Sequence, residues 1–208
     1  MKKLFSILFI SSILFWGCEK DSDFTIEGDQ SDLGKVGTTI SSSTQPIAGI
    51  SNFSAEVTSL EDGVSSIDGE VTITNSVVKQ ILSNVPGVEI SGDKVSARDV
   101  EVKFTSKGIE NKYPFFQGVL VNYDSKVGDT YPIKDSKTVR KVIYKSTTDD
   151  YSYAFYKIKI ITIEHEINFN GLKKITYWVN HKYGVVRIEF ELDNDEKITM
   201  PFYFGSNI

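Results

Sequence analysis

Short stretches in which apolar and polar residues alternate fill most of the chain after residue 50. Phe53, Ala55 and Val57 alternate with polar residues, and so do Val100 and Val102. A period of two, with turn residues between the segments, is typical of half-buried β-strands. The pattern therefore predicts a mainly β protein.

One segment departs from this period and follows helical spacing. Between residues 76 and 85 the apolar residues recur three or four positions apart. Asn75 or Ser76 can cap the start of a helix, and Pro86 can end it. The sequence therefore predicts one short helix over about residues 76–85.

The second half of the chain carries longer apolar segments and clear turn signals. We expect residues 151–169 to form one continuous strand. Asn170 and Gly171 follow, and this dipeptide favours a tight hairpin turn because both positions accept positive φ. Further turns at residues 180–184 and 193–196 complete an antiparallel meander of at least four strands. We expect the meander to form a curled sheet, a half-barrel or a sandwich.

The hairpin turn also predicts a register. If Phe169 pairs with Leu172, then His165 faces Thr176. The chain has two histidines, and His181 then lies roughly 17 Å from His165 at about 3.4 Å per residue, on the opposite face. We therefore expect both histidines to be ordinary sheet residues, and the sequence predicts no metal site.

The same register gives the meander two partly apolar faces. On one face Ile161 and Ile163 accompany Trp178, which we expect in the core. The other face carries Tyr156, Ile158, Ile160, Ile175, Tyr177 and Val179. A sheet with one solvated face does not need a second apolar face. Either protein covers both faces, or these six residues line a groove for an apolar ligand.

Composition narrows the classes of function. The chain has 208 residues, a formal charge of −5 and one cysteine. An acidic chain without a run of Lys and Arg lacks the clustered positive charge that nucleic acids require. A single cysteine excludes an intramolecular disulfide and a multi-cysteine zinc site. The common nucleophile, phosphate-binding and metalloprotease motifs are also missing. We therefore expect a non-enzymatic protein with no catalytic residues and no cofactor.

The N-terminus has the pattern of a signal peptide. Two lysines precede an uncharged apolar run at residues 4–16, which is too short to span a bilayer. The run ends in Phe15-Trp16-Gly17-Cys18, which resembles the lipobox of bacterial lipoproteins. The resemblance implies cleavage after residue 17, acylation of Cys18 and attachment to a membrane through its lipid. The alternative is an ordinary secretory signal with a coincidental cysteine.

An acidic segment containing one lysine, Glu19-Lys20-Asp21-Ser22-Asp23, follows the cysteine. It resembles the export signal of surface lipoproteins in Bacteroidota. The resemblance implies a lipid-anchored protein of the outer membrane, with the cell surface favoured over the periplasmic face.

The remaining chain divides into a tether and a domain. Residues 18–50 are rich in Ser, Thr, Gly and Asp, and this composition predicts a lipidated N-terminus followed by a flexible tether. Fully extended, the tether would reach on the order of 100 Å. Residues 36–40 have some strand character and could add an edge strand. Residues 51–208 are predicted to form a single β-rich domain.

The segment Tyr177-Trp-Val-Asn-His-Lys-Tyr-Gly-Val-Val186 carries a second resemblance. Its aromatic strand, glycine turn and outgoing strand resemble uncharacterised Bacteroidota lipoproteins and the last strands of the half-barrel in outer-membrane lipoprotein carriers. The resemblance implies a curled half-barrel. It leaves two functions open. One is a non-catalytic binding or structural module with a glycan or protein partner. The other is a carrier or chaperone that holds lipid or another apolar ligand.

Overall fold

The computed structural model describes residues 25–169 and 171–206. The predicted signal peptide, Cys18 and Asn170 lie outside the described residues. No helix within the described ranges is both long enough and apolar enough to cross a membrane.

Two antiparallel sheets make up most of the described chain. The first contains β1 (Thr38–Ser41), β2 (Ile50–Glu61), β3 (Val64–Ile73), β4 (Val88–Ser91), β5 (Lys94–Phe104), β6 (Gly108–Asn111), β7 (Gly118–Asn122) and β16 (Tyr203–Ser206). Its order is β16-β1-β2-β3-β5-β6-β7, and β4 pairs with β5. The second contains β8 (Thr130–Pro132), β9 (Val139–Lys145), β12 (Ile161–Phe169), β13 (Leu172–Asn180), β14 (Gly184–Leu192) and β15 (Lys197–Pro201). Its order is β15-β14-β13-β12-β9-β8.

The inner faces of the two sheets pack against each other. Val57 and Ile109 from the first sheet share a buried cluster with Val142 and Ile163 from the second. The chain passes from the second sheet to the first through Phe202, between β15 and β16. At the opposite edges of the two sheets, β7 contacts β8. The prediction of a mainly β, curled antiparallel fold is confirmed.

The predicted helix is α1 (Ser76–Leu82), somewhat shorter than expected. The Asn75 side chain caps it by accepting hydrogen bonds from the Val77 and Val78 amides at 3.0 and 3.2 Å. Ile81 is buried against residues of both sheets, which contributes about 1.5–3 kcal/mol of hydrophobic stabilisation. The helix therefore closes one end of the space between the sheets.

The predicted hairpin is present, but its register changes along the strands. Phe169 pairs with Leu172 as expected, and a bulge then shifts the pairing between Glu166 and Phe169. His165 consequently faces Ile175, one position away from its predicted partner. The bulge was not visible in the sequence because the alternation of apolar residues continues through it.

The register shift corrects the predicted position of Trp178. Trp178 pairs with Thr162, so it does not share a face with Ile163. Because side chains alternate between faces, a shift of one residue moves the indole to the outer face of the sheet. There the Arg187 guanidinium lies 4.4 Å from the centre of its ring. The prediction that Trp178 lies in the inter-sheet core is therefore wrong.

The prediction of one continuous strand over residues 151–169 is also wrong. The chain reverses around Ala154, whose φ is 48°, and forms a separate hairpin of β10 (Tyr151–Tyr153) and β11 (Tyr156–Ile158). Burial explains the reversal. Tyr153 and Ile158 pack with Val186 of β14, on the outer face that also carries Trp178.

Residues 25–50 belong to the folded domain, so the predicted tether does not extend to residue 50. Ile26 is buried, and its amide donates a hydrogen bond to the Glu110 carboxylate at 3.0 Å. Residues 32–34 form a 3-10 turn that Ser31 caps. The strand character noted at residues 36–40 corresponds to β1, which pairs with β2 and β16 inside the first sheet.

We expect Gly108→Ala to be strongly destabilising. A Cβ at this position would overlap the carbonyl oxygen of Val121 on the neighbouring strand, and such overpacking typically costs about 1–3 kcal/mol or more. Gly92→Ala is the control, because a Cβ there meets open space and only the positive φ of 63° opposes it. Urea denaturation should show the larger loss for Gly108→Ala. Equal losses would contradict the steric explanation.

Candidate ligand-binding site

A cavity of about 430 Å³ lies between the two sheets. The first sheet contributes Phe53 and Phe104 to its wall, and the second contributes Tyr177 and Ile188. Ligand pockets in proteins are typically about 300–1,000 Å³ in volume and mostly apolar. The space therefore has the size and the lining of a site for an apolar molecule.

A second space of about 370 Å³ adjoins the first beneath α1. Its lining is entirely apolar and includes Ile81 of the helix and Met200 of β15. The two spaces share the lining residues Phe53, Val85, Phe115, Ile175, Ile188 and Phe202. Because the same side chains form the wall of both, we treat them together as the inter-sheet cavity.

A third space adjoins the inter-sheet cavity on the side of β3. It has a volume of about 310 Å³ and shares Ile40, Phe53 and Ile67 with the inter-sheet cavity. Glu70 on β3 also lines it, and the side chain of Glu70 is 48% exposed. The third space therefore lies between the inter-sheet cavity and the exposed side of β3.

Burial along the inner faces is uneven in a way that fits the cavity. Ile163 is fully buried, whereas Phe53, Tyr177, Ile188 and Phe190 are only half-buried although they line the space between the sheets. Protein interiors are normally close-packed, with few voids larger than a water molecule. The inner faces are therefore incompletely filled by the chain's own side chains.

Arg140 places a positive charge at the wall of the inter-sheet cavity. It lies on β9 and is 1% exposed. Its Nη1 donates a hydrogen bond to the Val119 carbonyl at 2.9 Å, and its Nη2 donates to the Phe116 carbonyl. Its Nε has no partner among the described residues, and no described carboxylate lies within 4.0 Å of the guanidinium. Burial lowers the pKa of Arg140, as expected for a desolvated cation.

His165 lies opposite Arg140 on the neighbouring strand. It is fully buried, and its Nε2 is 3.0 Å from Oγ1 of Thr138. Burial, together with the charge of Arg140, lowers the pKa of His165 to about 3. The imidazole is therefore neutral at pH 7 and adds no second charge. Among the described residues, no three His, Cys, Asp or Glu side chains form a group that could hold a metal.

The Tyr177 hydroxyl is a second polar group at this wall. Burial raises the pKa of Tyr177, and the neighbouring Arg140 guanidinium opposes that shift. The hydroxyl is therefore protonated at neutral pH. Like the guanidinium, it can donate a hydrogen bond to an oxygen atom of a bound molecule.

The structure separates the six residues that the sequence places on one groove face. Ile175 and Tyr177 line the inter-sheet cavity, and Val179 is buried in the core. Ile158, Ile160 and the 65% exposed Tyr156 lie in or beside the β10–β11 hairpin on the outer face. The single groove face does not form, because the bulge in β12 and the β10–β11 hairpin redirect these side chains.

Sequence reasoning missed Arg140 and the contribution of the first sheet, which includes Phe53 and Phe104. A signal for Arg140 was present. It lies two residues before Val142 within the segment that forms β9, and residues two apart in a strand share a face. A charged residue in phase with a buried valine is a recognisable departure from the apolar pattern.

Comparisons with known proteins show no close relative. No family model matches the chain, and no curated protein matches it. A Bacteroides fragilis protein described as exported, with a YmcC-like fold, aligns with a TM-score of 0.43 and 11% identity, over 88% of this chain and 98% of its own. A Parabacteroides distasonis protein described as a lipoprotein aligns with a TM-score of 0.38 and 10% identity, over 86% and 96%. At these levels function must be inferred from the chain's own residues.

Proposed function

We propose that this chain is a lipid-anchored, non-catalytic binding protein of the bacterial cell envelope that holds an apolar ligand between its two sheets. The observation that carries the proposal is the inter-sheet cavity, whose two adjoining spaces measure about 430 and 370 Å³. Both sheets and α1 supply its apolar walls. Of the two functions that the sequence left open, the cavity favours the carrier or chaperone of an apolar ligand.

The lining supports binding without catalysis. The polar residues around the inter-sheet cavity are Asn111, Tyr113, Arg140 and Tyr177. Asn111 and Arg140 already donate hydrogen bonds to backbone carbonyls, so they hold the wall in place. An apolar molecule bound here would gain about 25 cal/mol for each Å² of apolar surface removed from water.

Extraction of bound lipid tests the proposal directly. The chain from residue 18 onward, carrying Cys18→Ser to prevent acylation, would be purified without detergent after export through a cleavable signal. We expect native mass spectrometry to show an adduct of a few hundred daltons that solvent extraction removes. A protein that stays free of adducts and binds none of a panel of fatty acids and fatty alcohols would rule out the proposal.

The membrane anchor belongs to the same proposal and rests on the lipobox-like residues before Cys18. We expect Cys18→Ala to abolish incorporation of a labelled acyl chain and to leave the uncleaved precursor in the cell. Ser22→Ala, four residues further on, is the control and should be acylated normally. Normal acylation of the Cys18→Ala protein would overturn the assignment.

The acidic segment after Cys18 supports placement on the outer membrane, with the domain facing the cell surface. A protease added to intact cells should then remove the domain, as seen by immunoblotting. Protection in intact cells, with digestion only after the outer membrane is opened, would place the domain on the periplasmic side.

A further inference from the structure

Resting on the proposed function, we propose that the ligand is a single-chain amphiphile with a carboxylate head group, which Arg140 binds while the chain occupies the inter-sheet cavity. Arg140 lines the larger space between the sheets but not the adjoining space beneath α1, whose lining is wholly apolar. The cavity therefore has one end with a cation and one end without polar side chains.

Among the described residues, no carboxylate pairs with this cation. Arg140 is 1% exposed, and the chain has two other arginines, Arg98 and Arg187, both of which pair with carboxylates. Burying a charge without an opposite charge is costly, because the desolvation energy is recovered only in part by hydrogen bonds to neutral groups. A carboxylate at this position would supply the missing charge.

The donors that surround the position suit a carboxylate. Two backbone carbonyls occupy one hydrogen each on Nη1 and Nη2 of Arg140, and a guanidinium has five N–H donors in a planar fork. The Tyr177 hydroxyl provides a further donor on the same wall. Planar carboxylates match the guanidinium fork well. His165 is the titratable neighbour across the strand, and in its neutral form it does not compete for the anion.

The alternative is that Arg140 is purely structural and only ties the Phe116 and Val119 carbonyls to β9. The two roles predict different ligand preferences. A structural arginine would not distinguish dodecanoate from dodecanol, which share one hydrocarbon chain and differ in head group. A head-group site would favour the anion.

The experiment is isothermal titration calorimetry of the delipidated chain from residue 18 onward, carrying Cys18→Ser, with dodecanoate and with dodecanol. We expect dodecanoate to bind at least tenfold more tightly. Arg140→Met should remove the preference, leaving dodecanoate at the affinity of dodecanol. Arg98→Met is the matched control, because Arg98 is an exposed arginine paired with Asp68, and it should keep the full preference.

The possible results of this titration distinguish failure of this inference from failure of the proposed function. If neither ligand binds the unmodified site, this inference fails, and the proposed function fails with it only if the protein also carries no extractable adduct and binds no other member of the ligand panel. If both ligands bind the wild-type protein equally, this inference fails while the proposed function stands. The same holds if a folded Arg140→Met protein keeps the preference for dodecanoate, or binds both ligands more weakly by the same factor.

If Arg140→Met does not fold, dodecanoate labelled with ¹³C at its carboxyl tests the wild-type site. Its carboxyl should stay ionised below about pH 4, the range in which carboxyls ordinarily titrate. Ordinary titration of the bound ligand would overturn the inference.

Discussion

Ile188→Trp is expected to reduce ligand affinity by at least tenfold while the protein remains folded. Ile188 lies on β14 between Tyr177 and Met200, and it borders both spaces of the inter-sheet cavity. The indole would occupy volume that the ligand needs. Displacing even two CH₂ groups, at about 0.8 kcal/mol each, corresponds to about a tenfold change in Kd. Because the ring enters space that side chains leave open, any loss of stability should stay below the about 1–3 kcal/mol that overpacking typically costs.

The matched control is Ile143→Trp. Ile143 lies on β9 in the same sheet, is 40% exposed and does not line the cavity. The same change in side-chain size there should leave the affinity for dodecanol or for the extracted ligand unaltered. Titration calorimetry and thermal unfolding of both variants give the comparison. Unchanged affinity in a folded Ile188→Trp protein would show that the ligand does not occupy this cavity.

Acid is expected to destabilise the protein through His165. Its pKa is about 3 in the fold and about 6.5 when the chain is unfolded. Between these values the unfolded state takes up a proton that the folded state excludes. The free energy of unfolding therefore falls as the pH is lowered from 6.5 towards 3, by up to about 1.4 kcal/mol per pH unit. Between pH 7 and pH 4 the loss from this residue is up to about 3 kcal/mol.

His165→Gln separates this contribution from that of the acidic residues. Glutamine can keep a hydrogen bond to Thr138 but does not titrate, so the variant should lose less stability than wild type when urea unfolding is compared at pH 7 and pH 4. His181→Gln removes the other, exposed histidine and should follow wild type. If His165→Gln and wild type lost the same amount, burial of the imidazole would not be the cause.

The parts of the fold that depend on local chemistry were predictable from the sequence. Asn75 capped the helix because its side chain reaches amides within the first turn. Phe169 pairs with Leu172, as the Asn-Gly dipeptide between them in the sequence predicts. These elements rest on interactions between residues close together in the sequence.

The parts that depend on distant contacts were not predictable. The bulge in β12 reversed the face of Trp178 without any break in the apolar pattern. The hairpin at Ala154 exists because its aromatic residues bury Val186, more than thirty residues later. In each case the deciding partner lies elsewhere in the chain, and the local pattern fits both outcomes.

The candidate site was half predictable for the same reason. Ile175 and Tyr177 were placed on a ligand-facing surface from the alternation within β13. The opposite wall, with Phe53 and Phe104, comes from a sheet whose packing partner the sequence does not specify. Arg140 gains its importance because no carboxylate in residues 25–169 or 171–206 pairs with it, a property that no single segment reveals.

If Cys18 carries the proposed lipid, the early start of the folded domain limits how far the domain reaches from the membrane. Ile26 is already buried, and only six residues lie between Cys18 and Thr25 along the chain. At about 3.3–3.6 Å per residue, the chain from Cys18 to Thr25 can span at most about 25 Å, which is a quarter of the reach that a tether to residue 50 would give. We expect a domain anchored in this way to exchange its ligand with the membrane that anchors it, or with a partner that comes to that surface, and not to carry the ligand across a compartment.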